Sequence, residues 1–193
     1  METVAAALYS LDLLMLLSFQ VLNREVPVFS RAISDFGLGK TARLFRVYVM
    51  VGCLAPPLLA WQFWASDSPA FPAAIPVYLG LVALGRLGIA VWPNDPHGAP
   101  QTEAGHIHRA ATILAFTCAY MTVVEATPQL GAMHEGLRSS ADLILKHTIS
   151  ASFLGVVLTM SPALRPFFGL AERAFLYSTG LWFLLASLTL PPL

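Results

Sequence analysis

Apolar runs and short polar breaks alternate along the whole chain. The runs fall at roughly 3–22, 42–63, 72–92, 106–126, 142–162 and 173–190, and each is close to the roughly 20 mostly apolar residues that cross a hydrocarbon core of about 30 Å. A bilayer core offers no water to backbone N–H and C=O groups, so such spans must satisfy themselves as helices. The strict apolar/polar alternation of a membrane barrel is absent. The pattern predicts an all-α polytopic membrane protein, one bundle of six transmembrane helices over residues 1–193, with no linker long enough to divide it.

Basic residues orient the bundle. Arg24, Arg31 and Lys40 lie in the first loop, with Arg43 and Arg46 just inside the second span. Arg109 closes the third loop, and the fifth contains Arg165 and Arg173. The N-terminal stretch, the second loop and the C-terminal stretch have none, and the fourth loop has Arg138 alone. The positive-inside rule then makes loops one, three and five cytoplasmic and puts both termini on the non-cytoplasmic side. No Lys or Arg precedes Arg24, and Asp12 interrupts the first run, so that run is expected to be a retained anchor rather than a cleaved signal.

Several local features refine this frame. Phe29, Ile33 and Phe36 recur at helical spacing in the first loop, with Gly37 and Gly39 as stops. Either a short helix lies apolar face down on the cytoplasmic interface, or an irregular loop tucks these residues onto the bundle. Pro56-Pro57 should kink the second span. Ala151, Gly155 and Thr159 form a small-residue stripe suited to close helix approach.

Composition agrees with membrane residence. The 193 residues are 56% hydrophobic and 11% charged, with a mean hydropathy of +0.68; soluble domains carry about 25% charged residues. Zero net charge gives no basic field for nucleic acid. Cys53 and Cys118 both fall in apolar runs, where they read as small buried hydrophobes.

Charges inside the spans are costly and therefore informative. Asp12 lies near the middle of the first span and Arg86 inside the third. Two arrangements fit: a buried Asp12–Arg86 contact, direct or through water, or a neutral Asp12 with Arg86 snorkelling to the cytoplasmic surface. Toward the outer side, Glu125, His134, Glu135, Asp142, Lys146 and His147 gather. Asp142 and Lys146, spaced i,i+4 behind Ser139 and Ser140, read as a solvated, capped helix start. Glu125 with His147 offers too few ligands for a metal.

The longest polar break, Trp92–Arg109 (WPNDPHGAPQTEAGHIHR), concentrates Asp95, His97, Glu103, His106 and His108. Thr102 and Glu103 suit a helix start. His106 and His108 then point to nearly opposite sides and cannot chelate one metal together. His147 is at the other face from them, so no haem is held between them. His108 shares a face with Thr112 and Ala115, and Asp95 is placed to orient it. Three readings stay open: a structural latch of Asp95 and His108; an anion or lipid-headgroup site of Arg43, Arg46 and Arg109; and an acid/base site of His108 and Asp95, assisted by Asp35 or Ser34. The sequence has no P-loop, G-x-S-x-G, H-E-x-x-H or Cys-rich signature. No metal or cofactor is expected.

ISDFGLGKTARLFR (Ile33–Arg46) followed by WPNDPHGAPQTEAGHIH (Trp92–His108) resembles the prokaryotic six-span membrane-protein family called domain of unknown function 998. Ser34, Asp35 and Gly37 match its Ser-Asp-aromatic-Gly segment. Trp92, Pro93, Asp95, Gly98, Gly105 and His108 match its aromatic-Pro-x-Asp…Gly…His segment, with Trp92 where the family usually has phenylalanine and Asn94 where it has threonine. The resemblance implies a six-span topology and groups Ser34, Asp35, Asp95 and His108 as one site or latch; it implies no activity. The sequence-based expectation is therefore a small integral protein of the prokaryotic inner membrane that binds lipid or a hydrophobic partner, as an accessory subunit of a larger membrane complex, with membrane lipids and other membrane subunits as its partners. The alternative is a membrane enzyme or transporter with an Asp/His site at the cytoplasmic leaflet.

Overall fold

A computed structural model of the chain describes residues 2–66, 71–96, 98–133 and 137–190. Its long helices are α1 (Glu2–Leu22), α2 (Ala42–Ala65), α3 (Ala74–Val91), α4 (Glu103–Met133), α5 (Leu137–Leu158) and α6 (Phe168–Thr189). Short 3-10 helices at Ile33–Gly37 and Gly39–Thr41 precede α2, and another at Arg165–Phe167 precedes α6. The described residues contain no strand.

Each helix packs on its neighbours in sequence, and α6 returns to α1, so the six form a closed ring. The α1–α6 pair is antiparallel turn for turn. Arg173 lies beside Gln20, Tyr177 donates its hydroxyl to the Leu16 carbonyl, Gly180 abuts Leu13, and the Phe183 ring meets that of Tyr9. Outward positions such as Leu14, Leu17, Leu54, Leu84, Ile144 and Leu154 are exposed apolar side chains. That surface is fit for lipid rather than water.

Among the described residues, five helical segments are long and apolar enough to cross a membrane: Val4–Leu22, Gly39–Ala65, Ala74–Val91, Glu103–Met133 and Ser140–Leu158. The sixth predicted span, 173–190, corresponds to α6, which has the length but not the apolarity. Its polar residues explain the difference. Glu172, Arg173, Ser178, Thr179 and Ser187 are all buried, facing other helices rather than lipid. Ser178 and Ser187 return their hydroxyls to carbonyls of their own helix, and Trp182 Nε1 donates to Thr127 Oγ1 of α4 at 3.1 Å.

Two boundaries differ from the hydropathy pattern. The fourth span was expected to end near 126, yet α4 runs on through Pro128 to Met133. Buried Thr127 and Leu130 hold it there by tertiary contact, which overrides weak local propensity. The start of α5 at Leu137 puts Ser139 and Ser140 inside its first turn, not ahead of it. Asp142 is buried rather than solvated.

The most extensive helix contact is between α3 and α4. A Cβ on Gly85 would lie 2.7 Å from the Ala111 carbonyl oxygen and 2.9 Å from Ala115 Cβ. Backbone cannot yield as a flexible side chain does, so Gly85→Ala should destabilise the bundle by about 1–3 kcal/mol, the usual cost of overpacking. Thermal unfolding in detergent checks this; an unchanged midpoint would contradict the tight α3–α4 contact.

Pro56 and Pro57 sit inside α2 without ending it. The first-loop hydrophobes do not share one environment. Ile33 and Phe36 are buried while Phe29 is exposed, so the Ile33–Gly37 helix tucks into the bundle instead of lying on the interface. The Phe36 ring stacks on Phe19 at 5.0 Å, and both belong to an apolar cluster with Phe45, Tyr48 and Val49.

Candidate functional site

Within the ring lies a cavity of about 80 Å³. A water needs roughly 10–15 Å³ measured this way, so several fit. Its wall is apolar in part (Phe116, Phe175, Leu176, Phe183), but Tyr9, Asp12, Tyr48, Arg86, His108, Glu172 and Thr179 also line it. Five of the six long helices and the Ile33–Gly37 helix contribute to this wall.

Arg86 and Asp12 form its charged side. Arg86 Nη1 donates to Asp12 Oδ1 at 2.7 Å, and Nη2 reaches Oδ2 at 3.4 Å. Nη2 also donates to the Tyr48 hydroxyl at 3.1 Å, and the guanidinium carbon stands 5.2 Å from the Tyr48 ring centre. Both partners are largely buried, at 15% and 8% side-chain exposure. Gly52 of α2 makes this possible, because a Cβ there would overlap the Arg86 guanidinium. Arg86 thus turns inward instead of snorkelling.

Ile33 and Ser34 line the end of the cavity nearest the basic loops, and they belong to a segment, Val28 to Gly37, that α6 holds as a strap. Glu172 Oε2 accepts from the Ile33 backbone N–H at 2.6 Å. Arg173 Nη1 donates to the carbonyls of Val28 and Arg31 at 3.0 and 2.6 Å. Leu170 N–H donates to the Phe29 carbonyl. With the Gln20 amide oriented oxygen-inward, that oxygen accepts from the remaining face of Arg173. Gly169 permits the approach, since a Cβ there would lie 2.5 Å from the Arg31 carbonyl and 2.6 Å from that of Val28.

Asn94 ties the strap to the loop after α3. Its Nδ2 donates to Ser34 Oγ at 3.1 Å and to Asp35 Oδ1 at 3.2 Å. Arg31 adds a longer ion pair to Asp35 at 3.6 Å. Partial burial pushes the Asp35 carboxyl up from its ordinary range, against the opposing pull of Arg31 and Asn94. A smaller cavity beyond, lined by Arg46, Pro93 and Asn94 among others, shares Ser34, Ile89 and His108 with the central one. These three side chains stand as a partition between the two.

The pairing of Asp95 with His108 read from the sequence is not what the structure has. Asp95 Oδ2 accepts from the Thr102 N–H at 2.9 Å, and Oδ1 accepts from the Thr102 hydroxyl at 2.8 Å. Thr102 Oγ1 in turn accepts from Gly105 N–H, so Asp95 and Thr102 together cap α4. Unpaired N–H groups at a helix start attract a carboxylate strongly. His108 instead bonds through Nδ1 to the Trp92 carbonyl at 2.8 Å. The expected group of four therefore divides. Ser34 and His108 line the cavity, Asp35 is joined to Ser34 through Asn94, and Asp95 is a cap.

Hydrogen bonds from Thr102 hold the Asp95 carboxylate below its usual value of 3.8. A lowered native pKa contributes stability that is present above the unfolded value and lost as pH falls through the folded one. Unfolding midpoints measured across the acid range should fall more steeply in the wild type than in Asp95→Asn. Parallel curves would contradict the cap.

The other predicted residues lie apart. Arg43, Arg46 and Arg109 are exposed. Arg109 meets the oxygen of Gln101, with that amide suitably oriented, at 2.6 Å, and Arg46 lines the smaller cavity. Glu125 accepts from the Tyr78 hydroxyl at 3.2 Å, and His147 is exposed. His97, His134 and Glu135 fall outside the described residues. Among the described residues, no group of three or more His, Cys, Asp or Glu side chains is placed to hold a metal.

Sequence reasoning missed Glu172, Tyr9, Tyr48, Thr179 and the structural use of Asn94. Only Glu172 carried a signal, as an acid beside the start of a predicted span. Two of the missed residues share a property with His108. Tyr9 Oη, His108 Nε2 and Thr179 Oγ1 are buried and have no hydrogen-bond partner among the described residues, and their side chains line the cavity.

The family model for a protein of unknown function, DUF998, matches residues 4–189. The chain belongs to the DUF998 family. The match covers nearly the whole chain, both motif segments and the cavity-lining residues included. No curated protein and no solved structure matches it. Family membership and the helical bundle together make this a multi-pass integral membrane protein.

Proposed function

We propose that this protein binds a small polar molecule inside its helix bundle, as the binding step of a transporter or carrier of the prokaryotic inner membrane. One observation carries the reading: Tyr9 Oη, His108 Nε2 and Thr179 Oγ1, each on a side chain at least nine-tenths buried, line a single cavity without hydrogen-bond partners among the described residues. An unmet polar group within a bilayer costs several kcal/mol. Ionisable residues at membrane depth mark substrate or ion pathways by default, and Asp12 and Arg86 stand on the same wall. Arginine placement supports both termini outside and the strap on the cytoplasmic side.

A second reading has its own observation. Arg43 and Arg46 are exposed at the cytoplasmic end of α2, and Arg109 is exposed in α4. They suit an anionic lipid headgroup, and the apolar exterior suits neighbouring subunits, as in an accessory chain of a larger complex. An Asp/His enzyme is less well supported, because Asp95 and His108 do not touch.

Native mass spectrometry of protein extracted from its own membrane in mild detergent separates these readings. A single small molecule per chain, absent from a Tyr9→Phe/Thr179→Val variant that still elutes as a folded species, is the expected result. Phospholipid alone, lost on substituting the three arginines, supports the headgroup reading. Stoichiometric partner chains without a small molecule support the accessory reading.

A further inference from the structure

The hydrogen bonds around His108 define which kind of molecule the cavity accepts. The Trp92 carbonyl can only accept, so His108 Nδ1, 2.8 Å away, carries the ring proton. In the neutral imidazole Nε2 is then a bare lone pair. That atom is buried, without a partner among the described residues, on a side chain 4% exposed that lines the cavity. A bare Nε2 accepts, so a hydrogen-bonding solute meets it with a group that donates.

The other polar groups lead the same way. Arg86 is the only Lys or Arg among the described lining residues, and its terminal nitrogens already serve Asp12 and Tyr48. Two acids, Asp12 and Glu172, share the wall with it. Glu172 Oε2 already accepts from Ile33. The hydroxyls of Tyr9 and Thr179 donate or accept as needed. An incoming carboxylate or phosphate would set its lone pairs against those of Nε2 and two acids, with no unengaged guanidinium to receive it.

We propose that the cavity takes a solute that donates to His108 Nε2 through an O–H or N–H, a polyol or an amine, and that it rejects anions. This rests on the cavity being a binding site and adds the class of its ligand. His108 is the specificity-determining acceptor.

The test is nitrogen NMR of protein with ¹⁵N-labelled imidazoles in lipid nanodiscs at about pH 8, above the ordinary histidine value of about 6.5. Glycerol and ethanolamine are the donor probes; acetate and inorganic phosphate are the anions. The chain has 5 histidines, and His108 is assigned by loss of its signal in His108→Gln. Should that variant fail to fold, substituting the other histidines leaves His108 as the remaining signal. The expected spectrum has a protonated Nδ1 and a pyridine-type Nε2. That Nε2 signal shifts with glycerol or ethanolamine and stays still with acetate or phosphate. The reverse tautomer, a shift with anions alone, or no shift with either donor overturns the proposal. An acidic molecule found bound by mass spectrometry would overturn the ligand class while leaving the cavity as a binding site; finding no small molecule would remove the binding site itself.

Discussion

Arg86→Met should destabilise the protein by about 3–5 kcal/mol, the usual result of leaving one member of a buried ion pair without its partner. Asp12, 5% exposed, would then face the bundle interior without the guanidinium that balances its charge. Adding Asp12→Leu to the same chain should recover most of the loss, because a pair of apolar side chains carries no unmet charge. Gly52→Ala should reproduce the single-mutant defect without altering either charge, since its Cβ would occupy the space of the Arg86 guanidinium. Reversible unfolding in one detergent of the wild type, these three variants and Asp12→Leu alone checks this cycle. Additive losses in the double mutant would mean that the pair contributes nothing as a pair.

Gly169→Ala should loosen the strap that lines one end of the cavity. The new Cβ would meet two backbone carbonyls, those of Arg31 and Val28, and Arg173 Nη1 at 2.8 Å. The side chain of Arg173 can move, but the carbonyls carry the strap with them. A loss of about 1–3 kcal/mol follows from overpacking. More tellingly, amide hydrogen exchange should quicken over residues 28–37 and little elsewhere, because the contacts holding that segment to α6 are local to this point. Unchanged exchange there would mean that α6 does not hold the strap.

These effects rest on contacts that the sequence disclosed unevenly. The spans were legible because a bilayer demands about 20 apolar residues in succession, and five helices meet that demand outright. α6 was harder to read. A helix surrounded by others is free to carry Glu172, Arg173 and Thr179, so hydropathy understates it. Asp12 and Arg86 stood out because charge in a span is costly, and that cost named the partner. Glu172 did not stand out, since it sits beside a basic residue at a loop boundary and its acceptor role is toward Ile33, 139 residues away. Asp95 and His108 were grouped by nearness in sequence. The first N–H groups of α4, equally near, bind the carboxylate instead. The periodicity of Ile33 and Phe36 marked them as apolar without saying whether lipid or protein would cover them; the stacking on Phe19 shows that protein does.

The central claim is that the bundle encloses a polar binding site. Cryo-electron microscopy of the protein in nanodiscs of its own lipids, at a resolution that shows side chains, tests it most directly. The account predicts an open cavity with non-protein density within hydrogen-bonding distance of Tyr9 Oη, His108 Nε2 and Thr179 Oγ1. A cavity closed by helix packing, with those three atoms bonded to protein instead, would contradict it.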